Sequence, residues 1–161
     1  MTTNKWILLA EDNANDADLV QRALTANHST TEVVLATDGS VALDCLHRRG
    51  AFASRGGGPP ALVLLDLKMP KVDGLDVLRQ VKNDDLLKTI PIVVLTSSRE
   101  EQDLTRSYQL GANAYVVKPV EFRQFVATLH GLSSFWMTIN EPPPDGPRQT
   151  ISPPARLTAV A

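Results

Sequence analysis

The feature that most constrains this chain is a continuous apolar run at 61–65, Ala-Leu-Val-Leu-Leu, which ends at Asp66. A turn signal rich in Gly and Pro precedes it at 56–60. A short unbroken run of this kind is typical of a strand buried on both faces, as in a parallel sheet covered by helices. Asp66 either caps the turn that follows or, at the carboxyl end of such a strand, contributes to a ligand site.

Four more short apolar runs share this character, and they lie at 6–10, 33–36, 91–95 and 114–117. A segment with helical spacing of its apolar residues follows each of the five runs. The last such segment begins at about Glu121, and its apolar stripe comprises Phe122, Phe125, Val126, Leu129 and Leu132. This alternation predicts an α/β fold, with a doubly wound five-stranded parallel sheet and five helices on its two faces.

Polar residues and glycines mark the predicted helix ends. Asn15 is predicted to cap the first helix. Ser97 and Ser98 each precede a glutamate by three residues, which gives two overlapping capping boxes for the fourth helix. Gly111 is predicted to end that helix.

Composition and charge narrow the class of protein. The chain has 161 residues, of which 43% are hydrophobic and 21% charged, with a net charge of −2. These values indicate one globular domain without the clustered Lys and Arg of nucleic-acid-binding proteins. The single cysteine, Cys45, excludes a disulfide within the chain and fits a reducing compartment. Since the sequence shows neither a secretion signal nor a run that could span a membrane, we expect a cytoplasmic protein.

Charged and hydroxyl side chains lie at the carboxyl ends of the predicted strands. Glu11 and Asp12 follow the first strand, Asp66 the third, Thr96 the fourth and Lys118 the fifth. In a parallel sheet these carboxyl ends share one edge, so three carboxylates, a hydroxyl and an ammonium converge there. Crowded carboxylates repel each other, and a hard divalent cation such as Mg²⁺ relieves the repulsion. The ammonium and the hydroxyl supply what a phosphoryl group needs.

At this point the chain resembles the receiver domains of two-component response regulators. The matching residues are Glu11-Asp12, Asp66 with Met69-Pro70 and Asp73-Gly74 after it, Thr96, and Lys118-Pro119. The resemblance covers about residues 5–139, which we interpret as the receiver domain. A Pro-rich extension at 140–161 follows, with six prolines after Glu141.

The resemblance implies that Asp66 accepts a phosphoryl group from the phosphohistidine of a histidine kinase. It also implies that Asp12 and Asp66 bind Mg²⁺ directly, that Glu11 acts mainly through water, and that the backbone carbonyl of Lys68 is a further metal ligand. Lys68 occupies a position where the commonest receivers carry a small polar residue, which bears on the lifetime of the phosphoryl group.

Three further roles follow from the same resemblance. Lys118 is implied to contact Asp66 or the phosphoryl group, and Thr96 to hydrogen-bond that group after transfer. Tyr115 occupies the aromatic switch position, which is implied to turn inward on phosphorylation. The peptide between Lys118 and Pro119 is implied to be cis.

Within the family, the stretch 107–120 and the pair Phe135-Trp136 look most like the stand-alone regulators of bacterial phytochrome kinases. We therefore expect a response regulator without an output domain, which signals by changed protein association. The surplus apolar residues Phe135, Trp136, Met137 and Ile139 predict a homodimer through the fourth helix, fifth strand and fifth helix. The extension, with Ile151, Leu157 and Val160, either clasps the partner subunit or packs on its own domain.

Two rival classes share this fold. A phosphatase that forms an aspartyl-phosphate is the main alternative, but the haloacid dehalogenase type places a second Asp two residues after the nucleophile, where this chain has Lys68. A flavodoxin-like electron carrier needs a hydroxyl- and Gly-rich phosphate loop after the first strand, where this chain has acids.

Overall fold

The computed structural model describes residues 4–26 and 31–144 and confirms the predicted α/β fold. Five strands alternate with five helices: β1 Trp6–Ala10, α1 Ala14–Thr25, β2 Glu32–Ala36, α2 Gly39–His47, β3 Leu62–Leu65, α3 Gly74–Asn83, β4 Ile92–Thr96, α4 Glu101–Gln109, β5 Ala114–Val117 and α5 Phe122–Ser133. A 3-10 turn, Gly50–Phe52, follows α2, and a π-helix, Ser134–Ile139, continues α5. The extension residues Ile151, Leu157 and Val160 lie outside the described residues.

The sheet is parallel throughout, with the strand order β2-β1-β3-β4-β5. Ala10 of β1 pairs with Leu65 of β3, and Leu65 pairs with Val94 of β4. This register brings the residues that follow β1 and β3 to the same edge. The strand order reverses at β1, because β2 lies on one side of it and β3 on the other. A ligand site is expected at such a switch point, between β1 and β3.

Side chains alternate across the sheet and form two hydrophobic layers. On one face, Leu8, Val63 and Leu65 are fully buried in the layer that contains the inner residues of α2 and α3. On the other face, Leu9 and Leu64 belong to the layer formed with α1 and α5. Both faces of the central strands are therefore covered, which explains why their sequences are continuously apolar.

Two of the predicted helix starts are wrong. Asn13, not Asn15, caps α1, because its side-chain oxygen accepts from the backbone amide of Asp16. Helix α4 begins at Glu101 and has Glu100 as its cap residue, so neither Ser97 nor Ser98 caps it. The Ser98 hydroxyl instead donates to the Asp103 carboxylate and accepts from the backbone amide of Glu100.

Two glycines let the loop between β3 and α3 pack closely against its neighbours. A Cβ atom on Gly74 would lie 2.2 Å from the carbonyl oxygen of Asp66, and one on Gly39 would lie 1.9 Å from that of Val72. Both distances are far below van der Waals contact, so only glycine fits at either position. The loop that follows Asp66 is thus held against the start of α2 and the start of α3.

The opposite edge of the sheet carries a separate polar cluster. The Arg55 guanidinium lies 4.1 Å from the centroid of the Trp6 ring and donates to both carboxylate oxygens of Glu32, at 3.1 and 2.9 Å. The Trp6 indole nitrogen donates to the carbonyl of Gly58 at 3.0 Å. These contacts fix the connection between α2 and β3 to the amino ends of β1 and β2.

The π-helix after α5 divides its apolar residues between core and surface. Trp136 and Met137 pack against the core layer of α1 and α5, whereas Phe135 and Ile139 are exposed. Lys5 fixes this segment, because its ammonium donates to the carbonyl of Met137 at 2.9 Å. Within residues 4–26 and 31–144, no helix is both long and apolar enough to cross a bilayer.

Candidate functional site

The carboxyl edge of the sheet brings the predicted site residues together. Glu11 follows β1, Asp66 follows β3, Thr96 ends β4 and Lys118 follows β5. All four are buried, with Glu11 and Thr96 only 2% and 1% exposed. Charged side chains are seldom buried to this degree unless they are paired, so the edge is a built polar site.

Lys118 is the central cation of this site. Its ammonium donates to a carboxylate oxygen of Glu11 at 2.5 Å, of Asp16 at 2.9 Å and of Asp66 at 3.1 Å. The Asp66 and Glu11 contacts confirm that the ends of β1, β3 and β5 meet. Asp16 was not predicted from the sequence. Its position three residues after the Asn13 cap places it in the first turn of α1, where it faces the same edge.

The pKa values of Glu11 and Lys118 are both raised, for different physical reasons. Burial raises the pKa of Glu11 from 4.5 to about 7, although the hydrogen bond from Lys118 opposes this shift. Burial alone would lower the pKa of Lys118, but its hydrogen bonds with Glu11 and Asp16 outweigh that effect and raise it. Lys118 therefore remains charged, while Glu11 gains and loses its proton near neutral pH.

Three of the carboxylates lie close enough together to share a metal ion. One side-chain oxygen each of Glu11, Asp12 and Asp66 lies within 4.8 Å of the other two. Asp12 is exposed, whereas the other two are buried. A set of oxygen ligands alone, open to water on one side, fits the preferences of Mg²⁺ and other hard divalent cations.

Comparison with known protein families identifies the family of this chain. The response regulator receiver domain family matches residues 7–130, which is most of the chain. The chain belongs to this family. The predicted resemblance to receiver domains is therefore confirmed.

Several receiver proteins are similar to this chain over most of its length. Response regulator Rcp1 of Synechocystis sp. is 38% identical over 133 residues, which are 83% of this chain and 89% of Rcp1. The solved structure of its Mn²⁺-bound form covers 86% of this chain and 99% of that one, with 37% identity and a TM-score of 0.81.

Two further structures are response regulators of phytochromes. The phosphorylated cyanobacterial phytochrome response regulator RcpA is 39% identical, covers 87% of this chain and 99% of its own, and has a TM-score of 0.82. The bacteriophytochrome response regulator AtBRR is 57% identical, covers 85% of this chain and 98% of its own, and has a TM-score of 0.68. The similarity to this branch of the receiver family was also predicted.

A cavity of about 310 Å³ opens beside the predicted phosphoacceptor of the receiver domain. Asp66, Lys68 and Thr96 line it together with the start of the β4–α4 loop, residues 97–100. A second cleft of similar size lies on the other side of Lys118 and is lined by Asp16 and residues of the β5–α5 loop. Asp66 is thus reachable from solvent although it is largely buried.

The predicted switch residues of the receiver domain, Thr96 and Tyr115, both hydrogen-bond to the β4–α4 loop. The Thr96 hydroxyl oxygen accepts from the backbone amide of Ser98 at 3.3 Å. The Tyr115 hydroxyl donates to the backbone carbonyl of Ser98 at 3.0 Å. Both side chains therefore hydrogen-bond to the backbone of the same residue, a connection that their spacing in the sequence does not reveal.

The prediction of a cis peptide before Pro119 is contradicted. Within the described residues every peptide bond is trans. The trans form of such a bond is the lower in energy by about 0.5–1 kcal/mol. In this conformation Lys118 already reaches its three carboxylate partners.

Proposed function

We propose that the protein receives a phosphoryl group on Asp66 from a histidine kinase and signals through the resulting change in its protein associations. The observation that carries this proposal is the contact of the Asp66 carboxylate with Lys118 at the wall of a cavity that Thr96 also lines. The family supports it, because receiver domains are phosphoacceptor domains of two-component systems. The phosphorylated state of the similar RcpA supports it as well.

In the proposed transfer each side chain of the site has its own part. An oxygen of Asp66 forms the bond to phosphorus while the bond from phosphorus to the imidazole nitrogen of the donor breaks. Lys118, which holds Asp66 and Glu11 at 3.1 and 2.5 Å, offsets the negative charge that arrives with the phosphoryl group. The Thr96 hydroxyl, which lines the same cavity, would donate a hydrogen bond to that group.

Glu11, Asp12 and Asp66 would hold a divalent cation, which we propose is Mg²⁺. The bound cation would supply positive charge to the phosphoryl oxygens. The backbone carbonyl of Lys68 and water molecules held by Glu11 would complete the oxygen ligands. The Mn²⁺-bound structure of Rcp1 supports a site of this kind.

We place the kinase partner among the phytochrome photoreceptors, because the similar regulators RcpA and AtBRR belong to phytochromes. The cleft beside Lys118 has the apolar surface that a protein donor requires. Val120 and Phe122 at its edge are 96% and 65% exposed. Large apolar side chains so exposed beside a reaction site are typical of a docking surface.

We further propose that the receiver domain, residues 5–139, forms a homodimer through α4, β5 and α5, with the extension at 140–161 contributing. The exposed side chains Phe135 and Ile139 support this proposal. A symmetric interface would place the same surface of two copies together.

Phosphotransfer tests the proposed function. The purified protein is incubated with Mg²⁺ and either a small phosphodonor or a phosphorylated phytochrome kinase, and its intact mass is measured. We expect one phosphoryl group on the wild type and none on Asp66→Asn. Labelling of Asp66→Asn at the rate of the wild type would contradict the assignment.

A further inference from the structure

Ser98 is the point where four hydrogen bonds of the β4–α4 region meet. Its backbone amide donates to the Thr96 hydroxyl oxygen at 3.3 Å, and its backbone carbonyl accepts from the Tyr115 hydroxyl at 3.0 Å. Its own hydroxyl accepts from the backbone amide of Glu100 at 3.3 Å and donates to the Asp103 carboxylate at 2.6 Å. Ser98 is only 8% exposed, so water does not compete freely for these groups.

The bond from Ser98 to Asp103 is the shortest of the four. A distance of 2.6 Å is typical of a hydroxyl that donates to a carboxylate, and bonds of this kind are about twice as strong as neutral ones. It fixes the Ser98 hydroxyl, and with it the path of the loop that lines the cavity beside Asp66. Asp103 itself does not line that cavity, and its hydrogen bond to Ser98 connects it to the loop that does.

The same network sets the direction of the Thr96 hydroxyl. Its oxygen accepts from the Ser98 amide, so the hydroxyl proton is free to donate elsewhere. Thr96 lines the cavity beside Asp66, where a donated proton would meet a phosphoryl oxygen. The Ser98 amide therefore prepares Thr96 for the role of donor before any phosphoryl group arrives.

Helix α4 has fewer buried residues than any of the other four helices. Of its nine described residues, only Ser107 is buried, and the Ser107 hydroxyl has no hydrogen-bond partner among the described residues. The helix therefore gains little from apolar burial, and its first turn is joined to the loop by the contact of Asp103 with Ser98.

We propose that Asp103 is a positioning residue for Thr96, acting through the Ser98 hydroxyl and amide, and that this link joins the phosphorylation site to helix α4. The inference rests on the proposed phosphorylation of Asp66. Removal of either Asp103 or the Ser98 hydroxyl should free the loop, misdirect the Thr96 hydroxyl and slow phosphorylation.

The test compares the rate of phosphorylation by acetyl phosphate and Mg²⁺ among matched variants. We expect Asp103→Ala and Ser98→Ala each to slow the reaction by about threefold to tenfold, the effect of losing one hydrogen bond. The double variant should be no slower than either single variant, because both changes remove the same link. Ser98→Thr keeps the hydroxyl and should react within about twofold of the wild type. Glu101→Ala removes an exposed carboxylate from the same helical turn and should leave the rate unchanged.

A second measurement separates positioning from general stability. In the unphosphorylated protein, NMR chemical shifts of the Ser98 amide and the Thr96 side chain should move in Asp103→Ala but not in Glu101→Ala. If the wild type is phosphorylated and Asp103→Ala reacts at the same rate, the positioning role is overturned and the proposed function stands. If Asp66 of the wild type is not phosphorylated, the proposed function fails. The positioning role then fails too if Asp103→Ala leaves the Thr96 shifts in place, and survives if they move.

Discussion

Lys118 neutralises only part of the charge around it. Its ammonium contacts Glu11, Asp16 and Asp66, so the site without a metal ion contains more carboxylates than cations. Glu11 is the most buried of the three, and its burial raises its pKa, which disfavours its charged form. The protonation of one glutamate is therefore linked to the stability of the whole receiver domain.

We predict that the metal-free protein becomes less stable as the pH rises. The pKa of Glu11 is 4.5 in a model peptide and about 7 in the folded protein. Between these values the folded chain keeps a proton that the unfolded chain has lost, so stability is greatest below pH 4.5 for this group and is lost up to about pH 7. The loss amounts to at most about 3 kcal/mol. Urea unfolding in EDTA at several pH values measures it.

Glu11→Gln is the matched control, since glutamine keeps the shape and cannot ionise. Its free energy of unfolding should change less between pH 5 and pH 8 than that of the wild type. Equal pH dependence in the two proteins would show that another group is responsible.

The site residues differ in whether the sequence predicted their place in the site. Glu11, Asp66, Thr96 and Lys118 were predictable, because a parallel sheet places the residues after its strands at one edge. Asp16 was not predictable, because its contact with Lys118 depends on the position of α1 relative to that edge. The link between Ser98 and Asp103 was also missed, since the sequence pattern of Ser98 and Glu101 indicated a helix cap instead.

At the scale of single elements, the close packing of the β3–α3 loop leaves no room for an added side-chain atom at Gly74. Gly74 lies against the backbone of Asp66, the proposed phosphoacceptor, and an added Cβ would meet backbone atoms that have no rotamer to change. A small change at Gly74 should therefore displace the reacting carboxylate.

We predict that Gly74→Ala destabilises the protein by about 2–3 kcal/mol, the cost of overpacking a rigid site. It should also weaken divalent metal binding, because Asp66 moves. Gly131→Ala in α5 is the control, because a Cβ there meets nothing within 4 Å beyond its own stretch of helix and alanine favours helix. Thermal unfolding and metal titration measure both effects. A Gly74→Ala protein as stable as the wild type would show that the loop adapts.

The β5–α5 loop gives a second prediction for an element. Val120→Asp places a charge on the apolar edge of the cleft beside Lys118. We expect transfer from the kinase to slow by about tenfold, as at an interface position worth over 1 kcal/mol. Labelling by a small phosphodonor, which needs no docking surface, should stay the same. Equal slowing with both donors would place the effect in the site rather than in docking.

The sequence predicted the helices and strands more reliably than the residues at which they begin and end. The strands were predictable from apolar runs buried on both faces. The start of α1 was placed two residues late, because Asn13 and Asn15 are equally good caps by composition and only the fold selects between them. The peptide before Pro119 was mispredicted for a different reason, since the assignment came from resemblance alone.

At the scale of the whole molecule, the proposed homodimer is tested by sedimentation. Ile139 is 64% exposed, so Ile139→Lys should weaken association at little cost in stability. Truncation after Asn140 should weaken association as well. Trp136→Ala is expected to do the same, but it also removes a side chain that packs on the core. Analytical ultracentrifugation at micromolar concentration measures each. A wild type that sediments as a monomer, phosphorylated or not, would end this proposal.

The stacking of Arg55 on Trp6 has a practical consequence for spectroscopy. The chain contains two tryptophans, and this contact holds Trp6 at the sheet edge opposite the proposed phosphorylation site. Trp136 lies instead in the π-helix, with its ring centroid 5.0 Å from that of Phe135. Indole fluorescence from Trp6 should therefore serve as a constant internal reference, while the emission of Trp136 reports on the surface proposed for dimerisation. A Trp6→Phe protein would isolate that second signal without any added dye.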